Sequence, residues 1–136
     1  MLILFIFMFM IFNYNNHEQS SGIYLIQNTI TNKIYIGKTK HFKQRWNQHK
    51  SNLLNHSHTN KFLQNEFDTL YIKLNHTNFL IFSILEVHPT YNKQIIKERE
   101  DYYLSHYFDN QHYCYNKIPQ PKTTISPFEE LLSLNS

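Results

Sequence analysis

Hydrophobic positions change their period several times along the chain, and each change marks an element. Residues 21–27 and 33–38 are short apolar runs with alternating character, joined by the polar turn NTITN, which is the pattern of a β-hairpin. From His41 to Leu54 the period lengthens: Phe42, Trp46, His49 and Leu53 fall at i, i+4, i+7 and i+11, one face of a helix. NHSHTN reads as a loop, and Phe62, Leu63 and Phe67 predict a second, short helix over about 60–69. NFLIFSILEV, residues 78–87, is too short and too uniformly apolar for a surface helix and reads as a buried strand. Beyond Pro89 a third helix is predicted over about 91–108, with residues 115–118 extended. The order β-β-α-α-β-α predicts a small α+β domain: a three-stranded antiparallel sheet flanked by about three helices.

The ends have a different character. The chain opens on MLILFIFMFMIF, 12 apolar residues, short of the ~20 that span a bilayer. It lacks the positive n-region and small-residue cleavage site of a signal peptide, and reads as an appendage followed by the spacer NYNNHEQ. Three of the four prolines lie from Pro119 onward and mark a linker, in which Ser126, Pro127 and Glu129 fit the start of a short terminal helix. The expected organisation is an appendage over 1–19, a domain over 20–118 and a linker with a short helix over 119–136.

Composition adds a source and a partner. Asn, Ile and Leu lead, Lys, Phe and Tyr follow, and alanine is absent, a bias that matches translation of an AT-rich genome, as in organelles, some phages and some bacteria. The location expected from it is an organelle, chloroplast ahead of mitochondrion. Net charge is only +3, but Gln19 to Asn65 carries Lys33, Lys38, Lys40, Lys43, Arg45, Lys50 and Lys61 with no acid, and nine of the ten acids follow. A one-sign field of this kind favours a polyanion such as nucleic acid, although a merely solvated basic surface has the same charge pattern. The single cysteine, Cys114, excludes a disulfide framework and a Cys-based zinc site.

Candidate chemistry begins at the hairpin. The chain has only two glycines, Gly22 and Gly37, and both lie there. Strand alternation puts Tyr24 and Tyr35 on one face with Gly37, leaving Ile23, Leu25, Ile34 and Ile36 for the other. That arrangement leaves room for a bulky ligand beside two phenols, or simply an aromatic pair that steadies the hairpin. In the third predicted helix, Ile96, Tyr103, Leu104 and Tyr107 form a stripe with Glu100 in its middle. A carboxylate so placed needs a cation, either a salt-bridge partner such as Arg45 or a hard metal ion. Arg45, one turn from His49, has the planar fork that suits a phosphate.

These residues resemble the GIY-YIG nuclease family. GIY at 22–24, YIG at 35–37, HFKQRWNQH at 41–49, HTNKFLQ at 58–64, KEREDYY at 97–103 and YN at 115–116 are similar to its motifs in order and spacing. The helix with Arg45 and His49 is most like that of intron-encoded homing members from phages and organelles. Two departures stand out: Cys114 where the family often has glycine before Tyr-Asn, and no glycine in IKLNHTN. The homing enzymes usually append a DNA-binding region, for which the 18 residues after Ile118 are too few.

The resemblance implies metal-dependent hydrolysis of double-stranded DNA; no obligate protein partner is evident, and the short apolar start argues against a membrane. It makes Tyr24, Tyr35, Arg45, His49 and Glu100 the catalytic set, with Glu100 holding Mg²⁺ or another divalent cation. Gly37, Lys38, His58 and Asn116 are then expected at the substrate. In these roles Arg45 stabilises the phosphate, Tyr35 and His49 orient the network, and Tyr24 positions or deprotonates water. A phenol with a pKa of about 10 costs roughly 4 kcal/mol to ionise at pH 7, so the base role needs nearby cations. The competing readings are a silent nucleic-acid-binding remnant and, from the apolar start alone, a membrane-tethered protein.

Overall fold

A computed structural model describes residues 11–13, 17–109 and 114–116. These form strands β1 (Ile11–Asn13), β2 (Ser21–Asn28), β3 (Ile34–Thr39) and β4 (Leu80–His88), and helices α1 (Phe42–Leu54), α2 (Lys61–Leu74) and α3 (Lys93–Asp109). The sheet order is β1-β4-β2-β3. The three expected strands are antiparallel, with β2 paired on both sides, and β1 adds a short parallel strand beside β4. Ile11 and Phe12, the last residues of the apolar opening, therefore belong to the sheet. Residues 1–10 and the expected terminal helix lie outside the described residues. Among the described residues, no helix is long and apolar enough to cross a membrane.

Both faces of the sheet are covered. Ile23, Ile34 and Ile36 pack with Ile96 of α3, joined by Tyr103, Leu104 and Tyr107, so the stripe along α3 faces the sheet as expected. Tyr24, Ile26 and Phe82 pack with Phe42, Trp46 and Leu53 of α1 and with Leu63 and Phe67 of α2. The tyrosine face of the hairpin thus packs on core as well, with Tyr24 buried and Tyr35 only partly so.

Local chemistry explains the element ends. His41 caps α1, its Nδ1 accepting from the Gln44 amide at 3.2 Å, and Asn60 caps α2 by accepting from the Leu63 amide at 3.0 Å. Asn92 begins α3 by accepting from the Gln94 and Ile95 amides, both at 3.1 Å. Helix α2 runs five residues past the expected end at 69, because Leu70 and Leu74 continue its apolar stripe onto the core. It stops at Asn75, whose φ of 56° is left-handed.

At Gly22 the backbone of β4 comes close to β2. The Gly22 φ is +150°, and a Cβ there would stand 1.9 Å from the Glu86 carbonyl oxygen and 2.9 Å from the Phe42 ring. Gly22→Ala should therefore destabilise the protein by about 2–4 kcal/mol. Replacing Ile72, which is 82 % exposed, with serine should stay within about 0.5 kcal/mol. Urea-unfolding midpoints of the two variants test this, and equal midpoints would refute the packing account.

Candidate active site

The second glycine explains how a phenol is buried at the centre of the site. Tyr24 pairs with Gly37 across β2 and β3, and a Cβ at Gly37 would lie 2.2 Å from Tyr24 Oη. Only a missing side chain lets the Tyr24 ring lie over β3, stacked at 4.7 Å on Phe82. The space was expected to admit substrate, but Tyr24 itself occupies it, leaving the residue 1 % exposed.

Helix α1 brings two side chains to that oxygen. Arg45 Nε donates to Tyr24 Oη at 3.2 Å, and His49 Nε2 lies 2.6 Å from it. Arg45 and His49 are one turn apart, so one rigid helix positions both. Behind His49, its Nδ1 lies 2.8 Å from Nε2 of His58, and the two rings meet edge to edge, 21° from coplanar with centroids 5.0 Å apart. Tyr35 meets both histidines edge-on, at 5.3 and 6.0 Å between centroids.

Burial sets the charges. It pushes the Tyr24 phenol above its ordinary value, with Tyr35 adding to the effect and Arg45 only partly opposing it. Burial and the Arg45 charge lower His49 to about 2 and His58 to about 4, so both rings are neutral near pH 7. Burial works against the Arg45 charge too, but the neighbouring Tyr24 and Tyr35 hydroxyls outweigh it and keep the guanidinium protonated.

Glu100 stands on the α3 side of the sheet. Its partner is Lys38, with Oε1 accepting from Nζ at 3.2 Å, and not Arg45. Lys38 follows Gly37 and shares the face of Ile34 and Ile36, so the pair sits across β3 from the phenols. The Glu100 charge still reaches Tyr24 and contributes to its raised value. Among the described residues no three His, Cys, Asp or Glu side chains form a metal cluster. A half-buried carboxylate beside a basic segment fits a hard cation whose remaining ligands are phosphate oxygens and water.

Two residues expected at the substrate are committed elsewhere. His58 is 1 % exposed, and both its ring nitrogens are engaged within the protein. Asn116 runs along the open edge of β3, accepting from the Ile36 amide at 2.8 Å and donating to the Ile36 carbonyl at 2.7 Å, as a neighbouring strand would. Two residues with no expected role prove important. The Asn60 amide donates to His58 Nδ1 at 3.0 Å. Buried Gln64 accepts from the His58 amide at 3.0 Å and donates to the Leu53 carbonyl and to Asp68. The available signals were an N-cap residue before an apolar run for Asn60, and the place of Gln64 three residues before Phe67 on the buried stripe.

This arrangement matches known proteins. The GIY-YIG catalytic domain matches residues 20–114. The chain belongs to the GIY-YIG family. It is 40% identical over 84 residues to "Intron-associated endonuclease 1" of Enterobacteria phage T4, a match covering 62% of this chain and 31% of that protein. It is similar in structure to the catalytic domain of homing endonuclease I-TevI, with a TM-score of 0.59 at 35% identity over 71% of this chain and 99% of that one. A mutant of the same domain gives 0.60 at 34% identity over 79% and 99%. The phage relative corrects the organelle location: the likeness points to a phage origin.

The neutral histidines of this GIY-YIG domain make its stability depend on pH. Above about pH 6.5, the ordinary histidine value, both are neutral folded and unfolded. Below it the unfolded chain takes up protons that the folded site, with values of about 4 and about 2, refuses. Stability is thus full above pH 6.5 and should fall by about 1 kcal/mol per pH unit per histidine between pH 6.5 and 4.5. Urea unfolding across that window measures the slope; a flat profile would contradict neutral burial.

Proposed function

We propose that the domain is a DNA endonuclease that hydrolyses phosphodiester bonds with the help of a divalent cation. The observation that carries this reading is the convergence of Arg45 and His49 on the Tyr24 oxygen beside Gly37. Family membership and similarity to an intron-associated endonuclease support the nuclease class. The acid-free basic stretch from Gln19 to Asn65 supports double-stranded DNA as the substrate.

Arg45 neutralises charge that develops on the phosphate, and its raised pKa keeps it charged throughout. Tyr24 holds the attacking water by hydrogen bonding; burial raises its ionisation cost beyond the roughly 4 kcal/mol of a free phenol, which disfavours phenolate as a resting base. His49 and Tyr35 keep the phenol in place. Glu100 would hold Mg²⁺ or another divalent cation, with Lys38 beside it at the phosphate backbone. When bound, such a cation supplies Lewis-acid stabilisation of the phosphate oxygens.

Purified protein incubated with supercoiled plasmid and Mg²⁺ should nick it, and EDTA should stop the reaction. Glu100→Ala and Arg45→Ala should each lower the rate by about 10²–10³-fold. Undiminished nicking in either variant would remove that residue from the mechanism.

A further inference from the structure

We propose that His58 is a positioning residue in a one-way chain of hydrogen bonds. The chain runs from the Asn60 backbone amide through His58 and His49 to Tyr24 Oη, so the histidines donate to the phenol and do not take its proton. The inference deepens the nuclease reading and rests on it only for its catalytic consequence.

The direction follows from the one member that cannot change. A backbone N–H is always a donor, and the Asn60 amide donates to His58 Nδ1 at 3.0 Å. His58 Nδ1 therefore carries no hydrogen, and a neutral ring must carry it on Nε2. That hydrogen points along the 2.8 Å contact to His49 Nδ1, which must accept. His49 then carries its own hydrogen on Nε2 and donates it along the 2.6 Å contact to Tyr24 Oη. The reverse direction requires a hydrogen on His58 Nδ1, facing the Asn60 N–H. An imidazolium at His58 meets the same collision, and one at His49 places Nδ1–H against Nε2–H of His58. The low values of both rings agree with neutral tautomers.

The donor at the start is held firmly. Asn60 caps α2 through Oδ1 and donates from Nδ2 to the Tyr115 carbonyl at 2.7 Å, while Gln64 accepts from the His58 amide. At the far end Tyr24 Oη accepts from His49 Nε2–H and from Arg45 Nε–H. With both acceptor positions filled, the phenol can direct its own hydrogen only away from those two residues. Any proton lost by Tyr24 consequently leaves on that side and not through the histidines.

Two-bond ¹H–¹⁵N correlation spectra of the full chain at pH 7 read the tautomers directly. The expected result is Nε2–H on both His49 and His58; Nδ1–H or double protonation at either ring would overturn the proposal. In His58→Gln, the side-chain amide reaches the place of Nε2 and should keep His49 in the Nε2–H form. His58→Phe offers no donor and should give His49 mixed tautomers, with kcat for nicking lowered about tenfold or more and KM little changed, as for other orienting partners. Wild-type kcat in a folded His58→Phe protein would overturn the positioning role. Correct tautomers in a wild-type protein that nicks no DNA would support the chain of hydrogen bonds and refute the nuclease reading instead.

Discussion

Everything at this site depends on how closely the Tyr24 phenol approaches the backbone of β3. No side chain larger than hydrogen fits at Gly37 while the Tyr24 oxygen stays where it is. Buried at that depth, the oxygen lies within reach of one face of α1, and Arg45 and His49 arrive together because a helical turn separates them. The same helix is fastened to the sheet by Trp46 against Phe82 at 4.8 Å, and Phe82 is also the ring on which Tyr24 stacks. Core packing and the geometry around Tyr24 are therefore one arrangement, and loosening either disturbs the other.

The sheet divides the electrostatics between its faces. On the α1 side a guanidinium sits among neutral, buried groups, where a single charge acts over a longer range than in water. On the α3 side the Glu100 carboxylate is balanced by Lys38. Strand β3 carries both Gly37 and Lys38, so consecutive residues of one edge strand serve the two faces. That edge is kept from pairing with other chains by Asn116, and Tyr115 beside it is anchored by Asn28 and Glu66.

Much of this was legible in the chain. Period-2 alternation placed both tyrosines on one face, and the apolar stripe of α3 singled out Glu100 before any likeness was invoked. Alternation assigns faces but does not say what covers them, which is why Gly37 looked like space for a ligand when it is space for Tyr24. Arg45 was one salt-bridge partner considered for Glu100, and Lys38 takes that place for a related reason. Arg45 and Lys38 are both cations of the basic segment, and only three-dimensional placement shows that α3 faces the Lys38 side of β3. His58 and Asn116 were expected at the substrate from the motifs they resemble, and each satisfies a buried or edge hydrogen-bonding need. Short β1 pairs parallel to a strand about 70 residues later, a relation that no local pattern records.

A chain of donors that begins on a backbone amide has a consequence for charge at Tyr24. Hydrogen bonds between titratable groups can reverse when a proton moves, so a relay built only of side chains has no fixed polarity. Here the first donor cannot reverse, and every later bond inherits its direction. The Tyr24 oxygen is consequently surrounded by donors before any reaction begins, one of them a full positive charge. Donors of this kind favour negative charge on the oxygen without further reorganisation, while burial disfavours it. Because burial is the larger influence, the resting phenol stays protonated. The protonated oxygen thus rests against two side chains already in position.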